Sequence, residues 1–295
     1  MNVKLIQQLV ALRNLLIYRK WHLLALFYNS KFRTNPKAQF VVSIASYPKR
    51  AHLLPAVFEA LNTQTEVPQK WILVLSEEEW PDLIVPTYLN KLVKRGLEIL
   101  WVKNNTFAVK KLVPVVEKYP EKAVITFDDE LIYGKHVIEK LINCSKVNQG
   151  AIIGHVAKQL VKKNGELKMF YRLKKVASYA TPSPQVYFLG GSGTYYPSGS
   201  LHVKVTNNEA IHKIVPGRGS DIWFWAAAVA NGTKQICLGS KTDRTLYFAI
   251  PETNQTKPKE TPGKNVMDER FQMAIDYFGI REQLIANLPN HEYFF

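Results

Sequence analysis

The chain has 295 residues, 46% of them hydrophobic, and a formal net charge of +15 at pH 7. This length and composition allow one large domain or two small ones, and they exclude a collagenous, low-complexity or extensively disordered protein. The two cysteines, Cys144 and Cys237, have no CxxC or Cys/His spacing. That usage fits a reducing compartment and gives no sign of a zinc site.

The N-terminal segment, residues 1–35, contains six basic residues and no acid among many leucines and aromatic residues. The basic residues interrupt each apolar run before it reaches the roughly 18–20 residues that a membrane span needs. The segment contains neither a continuous apolar region nor a small-residue cleavage site, so a signal peptide is not predicted. Two interpretations stay open: a basic amphipathic helix that lies in an anionic membrane interface, and a helix that packs on the protein's own core.

From residue 40 onward, short apolar runs that predict buried strands alternate with segments of helical spacing. The predicted strands are 40–46, 71–75, 97–102 and 124–127, and the predicted helices between them are 52–63, 88–95 and 110–119. Gly96 follows the second helix, as a C-cap glycine would. This alternation predicts a parallel α/β sheet.

Three consecutive acids, Asp128, Asp129 and Glu130, follow the fourth predicted strand. In open α/β sheets, ligands bind beyond the carboxyl ends of the strands, so these carboxylates would meet the ends of the other strands there. Clustered carboxylates need a neutralising cation, and hard oxygen ligands favour Mg²⁺ or Mn²⁺. The alternative is that the acids cap a helix that begins near Gly134.

Several short motifs occur in an order that resembles the GT-A glycosyltransferases, and in particular the bacterial enzymes that build surface polysaccharides. The resemblance covers roughly residues 40–275, and Glu130 departs from it because Asp is usual at that position. The motifs are Ser46-Tyr47-Pro48-Lys49-Arg50, Asp128-Asp129-Glu130-Leu131-Ile132-Tyr133, Gly190-Gly191-Ser192-Gly193, Tyr196-Pro197-Ser198-Gly199-Ser200-Leu201 and Ser220-Asp221-Ile222-Trp223-Phe224.

The resemblance implies an α/β GT-A fold and a metal-dependent, inverting transfer of a sugar from a nucleotide-sugar donor, a UDP-sugar, to a hydroxyl of a glycan or lipid-linked acceptor. Asp128 and Glu130 would face Mn²⁺ or Mg²⁺, and Asp129 would face the metal or the ribose. The residues implied to bind the donor are Ser46, Tyr47, Arg50, Lys110, Lys111, Asp128 and Asp129. The alternative for Lys110 and Lys111 is that they are solvated residues at the start of a helix.

Sugar transfer to a hydroxyl needs a base for the proton of the acceptor, and in an inverting enzyme a carboxylate supplies it. Asp221 is the candidate, because it begins a very apolar helical segment that ends at Asn231-Gly232. The alternative is that Asp221 only caps this helix. The glycine-rich stretch 190–200 is interpreted as a wall of the acceptor site, residues 158–175 as a hairpin that turns at Asn164-Gly165, and residues 251–264 as a lid loop.

These interpretations divide the chain into a basic segment (1–37), a glycosyltransferase domain (38–278) and a C-terminal tail (279–295). Within the domain, residues 38–150 would bind the nucleotide-sugar and residues 151–278 the acceptor. The expected location is cytoplasmic, on the inner face of a bacterial plasma membrane. Two other classes stay open: a non-catalytic binding or scaffold protein with the same fold, and a nucleic-acid-binding protein, for which the charge is the only argument.

Overall fold

The computed structural model describes residues 3–175, 183–239, 243, 245–251 and 263–288. The helices are α1 (Val3–Phe27), α2 (Leu54–Leu61), α3 (Thr87–Lys94), α4 (Val113–Lys118), α5 (Val137–Val147), α6 (Asn208–Ile214), α7 (Ser220–Ala230), α8 (Lys264–Tyr277) and α9 (Arg281–Asn287). The strands are β1 (Phe40–Ala45), β2 (Trp71–Ser76), β3 (Leu97–Val102), β4 (Ala123–Phe127), β5 (Leu131–Tyr133), β6 (Ile152–Gly154), β7 (Ala157–Lys163), β8 (Glu166–Lys175), β9 (Val186–Phe188), β10 (Thr194–Tyr196), β11 (Gln235–Cys237) and β12 (Tyr247–Ala249).

A seven-stranded sheet forms the centre of the molecule, in the order β11-β6-β10-β4-β1-β2-β3. Strands β4, β1, β2 and β3 are mutually parallel, and β10 inserts antiparallel between β4 and β6. The four parallel strands are the four predicted from the apolar runs, so the predicted mixed α/β fold is confirmed. The sheet takes strands from both predicted halves of the domain, while the division itself stays a prediction.

Helices cover both faces of this sheet, which explains why its central strands are apolar on both sides. All residues of β2 and β4 are buried. One hydrophobic cluster includes α7 and α8, with Trp223 and Phe271 fully buried. The other includes α2 and α5 and contains Phe58 and Trp71. The α3 boundary was also predicted correctly, since Gly96 has a φ of +110° two residues after its last helical residue.

Helix α1 only partly packs on the domain. Ile17, Tyr18 and Trp21 pack against the cluster around α2, and Asn14 donates a hydrogen bond to the Ala249 carbonyl at 3.0 Å. Apolar side chains also point away from the domain, and their exposed fractions run from 37% to 77%: Leu5, Ile6, Leu9, Val10, Leu12, Leu15, Leu16, Leu23, Leu26 and Phe27. Helix α1 therefore packs on the domain through some of its apolar residues and exposes others, so both interpretations of the segment stay open.

Smaller pairings complete the fold. Strands β7 and β8 form the predicted hairpin, and its turn residues Asn164 and Gly165 have φ values of +50° and +76°. Strand β12 pairs antiparallel with β5. The predicted lid lies outside the described residues except at its ends, Pro251, Gly263 and Lys264. No helix in the described ranges is sufficiently long and apolar to cross a membrane.

Candidate active site

The acid motif lies at the carboxyl edge of the parallel sheet, as the sequence predicted. It follows β4 directly, and β4 pairs with β1 so that Phe127 lies opposite Ile44. Ser46, just after β1, therefore lies beside the acids. The turn at Gly190–Ser192 and the first turn of α7 come to the same place, because Gly190 approaches Asp221 and Gly191 approaches Asp128. Four segments that are distant in sequence thus surround one site.

Asp129 is a buried acid that two side chains already engage. The hydroxyl of Ser46 donates to its Oδ2 at 2.6 Å, and Arg50 Nη1 donates to its Oδ1 at 3.3 Å. Burial raises the pKa of Asp129, and the Arg50 charge and Ser46 hydrogen bond oppose that rise without cancelling it. Each carboxylate oxygen thus has one side-chain donor, and the predicted contact of Asp129 with a metal or ribose stays a prediction.

Arg50 joins the segment after β1 to two of the three acids. Besides Asp129 it pairs with Glu130, with Nη2 2.5 Å from Oε2, and its guanidinium carbon lies 5.6 Å from the centre of the Tyr47 ring. Burial alone would lower the pKa of Arg50, but the charges of Asp129 and Glu130 outweigh it and raise that pKa. Tyr47 and Arg50 thus lie at the acid cluster, and their binding of a donor stays a prediction.

Tyr133 fixes the backbone at the first acid. Its buried hydroxyl accepts a hydrogen bond from the Asp128 amide and donates one to the Gly191 carbonyl, both at 2.8 Å. The Asp128 amide thereby has a partner where β4 ends. The alternative that the acids cap a helix near Gly134 is wrong, because the acids lead into β5 and α5 begins at Val137.

Lys111 lies between two acids of the site. Its buried ammonium is 2.8 Å from Asp128 Oδ1. Burial alone would lower the pKa of Lys111, but the negative charges of Asp128 and Asp221 outweigh it and raise that pKa. The predicted neighbour, Lys110, is buried elsewhere and pairs with Glu79 and Asn105. Of the two lysines only Lys111 reaches the acid motif, and the solvated-helix alternative is wrong for both.

Asp221 lies in the first turn of α7, one residue beyond its start. Gly219 holds the N-cap position with a φ of +118°, so the alternative that Asp221 is the N-cap is wrong. The Asp221 carboxylate accepts a hydrogen bond from the Gly190 amide. Burial raises its pKa, while the charge of Lys111 opposes the rise. A carboxyl group of this kind is suited to general-base chemistry.

Gly190 and Gly191 are glycines because acids lie against their backbone. A methyl group on Gly190 would lie 2.6 Å from Asp221 Oδ1, and one on Gly191 would lie 2.5 Å from Asp128 Oδ2. Both distances are too short for real contacts, so a side chain at either position would displace its acid. The backbone at Gly190 and Gly191 therefore packs directly against the carboxylates of Asp221 and Asp128. This packing is separate from any contact of the motif with an acceptor.

The predicted set of three metal ligands does not converge. Asp128 pairs with Lys111, Asp129 with Ser46 and Arg50, and Glu130 with Arg50. Within the described ranges, no group of three or more His, Cys, Asp or Glu side chains is arranged to hold a metal ion. Asp128 and Glu130 keep partly exposed side chains, at 30% and 33%. The arrangement shown fits cationic side chains, and the metal ion stays a prediction.

The sequence indicated Tyr133 only as part of the acid motif, and Gly190 and Gly191 only as part of a glycine-rich stretch beside the acceptor. A tyrosine at the end of a short apolar run gives no sign that its hydroxyl spans to a loop 58 residues away. Likewise, glycine pairs are common in loops, so the two contacts with acids needed the tertiary structure.

Comparison with solved structures identifies the class of fold. The chain is similar to residues 1–349 of TarS from S. aureus in complex with UDP, with a TM-score of 0.50 and 14% sequence identity, over 84% of this chain and 70% of that one. The complex of the same segment with UDP-GlcNAc gives 0.49 and 14%, over 86% and 68%. No family model matches the sequence, and no curated protein matches it. The predicted GT-A type of α/β fold is thus confirmed.

Proposed function

We propose that this protein is a glycosyltransferase that moves a sugar from a nucleotide-sugar donor to a hydroxyl group of a glycan or lipid-linked acceptor. The observation that carries the proposal is the meeting of Asp128, Lys111 and Asp221 at the carboxyl edge of the sheet. The fold likeness to a protein that was solved with UDP supports a donor of the same class. The acid motif and the candidate base come from distant segments of the chain. Their proximity in the fold is therefore not a consequence of local sequence.

The proposed roles follow from charge and position. Arg50 and Lys111 would compensate the negative charge of the donor diphosphate as it leaves. Tyr47 would lie beside the nucleobase of the donor. Asp221 would remove the proton from the acceptor hydroxyl while that oxygen attacks the anomeric carbon, which gives inversion. Lys111 would keep Asp221 ionised, because it opposes the effect of burial on the pKa of that acid.

A thermal-shift screen of nucleotide sugars tests the donor. UDP-sugars at 1 mM should raise the melting temperature of the full chain, because a ligand that binds only the folded state stabilises it by mass action. Lys111→Met should lose the shift, whereas the surface control Lys163→Met should keep it. Stabilisation without any release of UDP in the presence of glycan acceptors would favour the non-catalytic scaffold. No shift with any UDP-, GDP-, CMP- or dTDP-sugar would contradict the proposal.

A divalent ion is a separate proposal, held by Asp128 and Glu130 because these two acids keep partly exposed oxygens. Mn²⁺ or Mg²⁺ would supply further positive charge at the diphosphate. If it is required, Asp128→Asn should abolish transfer in a protein that still melts normally, and EDTA should remove donor binding measured by calorimetry. Full donor binding and activity in excess EDTA would show that Arg50 and Lys111 suffice.

We further propose that the protein works at the inner face of a bacterial plasma membrane, where it contacts anionic lipid through residues 1–35. The ten exposed apolar residues on α1, in a segment with six basic residues and no acid, support this location. The full chain should float with anionic vesicles at low salt, and a chain that starts at Lys37 should not.

Removal of the whole segment also removes Ile17, Tyr18 and Trp21 from the core, so a milder variant is needed. Leu9→Gln/Leu12→Gln/Leu16→Gln changes outward side chains only, and it should reduce flotation while the melting temperature stays unchanged. Equal flotation of this variant and the wild type would contradict the proposed membrane role of the segment.

A further inference from the structure

A cavity lies between α1 and the domain, away from the acid motif. It has a volume of about 630 Å³, and its walls come from the second half of α1, the chain that follows it, the end of α2 and the residue after Gly134. Among its lining side chains are Lys20, Trp21, Tyr28, Arg33 and Lys135. The candidate active site uses none of these residues, so the cavity needs its own explanation.

The lining of this cavity carries a net positive charge. Lys20, Arg33 and Lys135 contribute three cations, and in the described part of the chain no carboxylate forms an ion pair with any of them. The one acid in the lining, Glu59, is buried and paired with Arg95 through both carboxylate oxygens. Arg33 donates to the Gln64 carbonyl at 3.0 Å, which orients its guanidinium without neutralising it. An anion is the complementary ligand.

The wall of the cavity continues into the apolar outer surface of α1. Residues three and four apart are neighbours on a helix, so Lys20 lies next to both Leu16 and Leu23. Leu16 is 61% exposed and Leu23 is 55% exposed, and Phe27, one turn beyond Leu23, is 77% exposed. Trp21 and Tyr28 lie at the cavity itself, and such aromatic residues with one polar end favour the interface between lipid and water. Positive charge and exposed apolar surface thus adjoin each other.

We propose that this cavity binds the phosphate headgroup of an anionic lipid whose acyl chains lie along Leu16, Leu23 and Phe27. Lys20 and Lys135 would contact the phosphate as point charges, and Arg33 would offer its fork of donors. The inference rests on the membrane location proposed above and adds a specific headgroup site to it. It does not depend on glycosyl transfer, because binding is measured without donor or acceptor.

Flotation of the full chain with vesicles of 30% phosphatidylglycerol in phosphatidylcholine tests this site. Lys20→Gln/Lys135→Gln should weaken vesicle binding by roughly tenfold or more, since a basic residue near an anionic surface contributes about 1 kcal/mol. The matched control is Lys146→Gln/Lys163→Gln, which removes the same charge from two exposed lysines outside the cavity. The control should change binding less than twofold. Equal losses in the two variants would overturn the headgroup site and leave only general attraction.

Competition separates a phosphate site from general screening. At equal ionic strength, inorganic phosphate should release the wild type from vesicles more effectively than chloride does, and this difference should vanish in Lys20→Gln/Lys135→Gln. Identical release by both salts would overturn the proposal, because screening depends only on ionic strength. Phosphate binding by calorimetry without any flotation of the wild type would also overturn it, because the anion would then be a free phosphate. Melting curves show that each variant is folded.

Discussion

At the scale of single residues, the site depends on acids that are held close to backbone and to buried cations. Asp128 rests against Gly191 and pairs with Lys111, and Asp221 rests against Gly190. The partners of these acids fix their positions, so single substitutions should separate binding from chemistry.

Asp221→Asn should lower kcat by at least about 100-fold while donor binding stays nearly intact, because the amide cannot accept the acceptor's proton. Burial raises the pKa of Asp221 in the folded state, so its ionised form is unfavourable to stability above the unfolded pKa. The variant should therefore melt no lower than the wild type at pH 7. For the wild type, kcat/KM should fall with decreasing pH through a pKa above the value of an exposed aspartate, because kcat/KM reports groups of the free enzyme. Unchanged kcat in the variant would leave Asp221 with a purely structural role.

Gly191→Ala should weaken donor binding by displacing the Asp128 carboxylate, because the new methyl group would lie 2.5 Å from Oδ2. The φ of Gly191 is not in the positive range, so the backbone accepts alanine and the protein should fold. Gly263→Ala is the matched control, since nothing lies within 4 Å of its added methyl group. Calorimetric titration compares the donor affinities of Gly191→Ala and Gly263→Ala. Equal affinities would show that donor binding does not depend on the close packing of Asp128 against Gly191.

At the scale of elements, a buried ion pair joins the chain after α1 to the domain. Arg95 pairs with Glu59 of α2, both almost fully buried, and donates to the Ser30 carbonyl at 2.7 Å. Its guanidinium lies 4.5 Å from the centre of the Phe32 ring. The pair thereby connects the end of α3, helix α2 and the segment that links α1 to β1, and it also closes one side of the basic cavity.

Glu59→Ala should lower the free energy of unfolding by about 3–5 kcal/mol, because it leaves the Arg95 charge buried and unpaired. Glu59→Leu/Arg95→Met should be closer to the wild type than Glu59→Ala is, since no charge then remains buried. Urea unfolding followed by tryptophan fluorescence measures all three proteins. A loss below about 1 kcal/mol in Glu59→Ala would show that water reaches this pair.

At the scale of the whole molecule, positive charge is unevenly distributed. Seven basic residues lie in residues 1–37, which contain no acid, so only +8 of the net +15 belongs to the rest of the chain. Inside the domain, basic side chains such as Lys111, Arg50 and Lys110 pair with acids of the site or its surroundings. The excess positive charge is therefore concentrated in residues 1–37, and it gives only weak support for a nucleic-acid-binding surface.

RNA binding should consequently be weak and strongly dependent on salt. We expect a Kd weaker than about 10 μM for a labelled 20-nucleotide RNA at 0.15 M salt, typical of nonspecific electrostatic binding. A chain without residues 1–37 should bind still more weakly. Fluorescence anisotropy measures both, and submicromolar binding that persists at 0.2 M salt would revive the nucleic-acid alternative.

The sequence by itself determined the four parallel strands, the end of α3 before Gly96, the hairpin turn at Asn164-Gly165 and the place of the acid motif at the end of β4. These features depend on periodicity and on local backbone preferences, which neighbouring residues set. The N-terminal helix was also predicted, from the basic, leucine-rich and aromatic composition of residues 1–35.

Only the tertiary structure decided which partner each charged residue meets. Lys111, and not Lys110, pairs with Asp128. Ser46 and Arg50 each donate to one oxygen of Asp129. The N-cap of α7 is Gly219 and not Asp221. The tertiary structure also brought Arg33 and Lys135 to the same cavity as Lys20. Such pairings join residues far apart in the chain, and their energies depend on burial and on distances of a few ångströms, which local sequence does not specify.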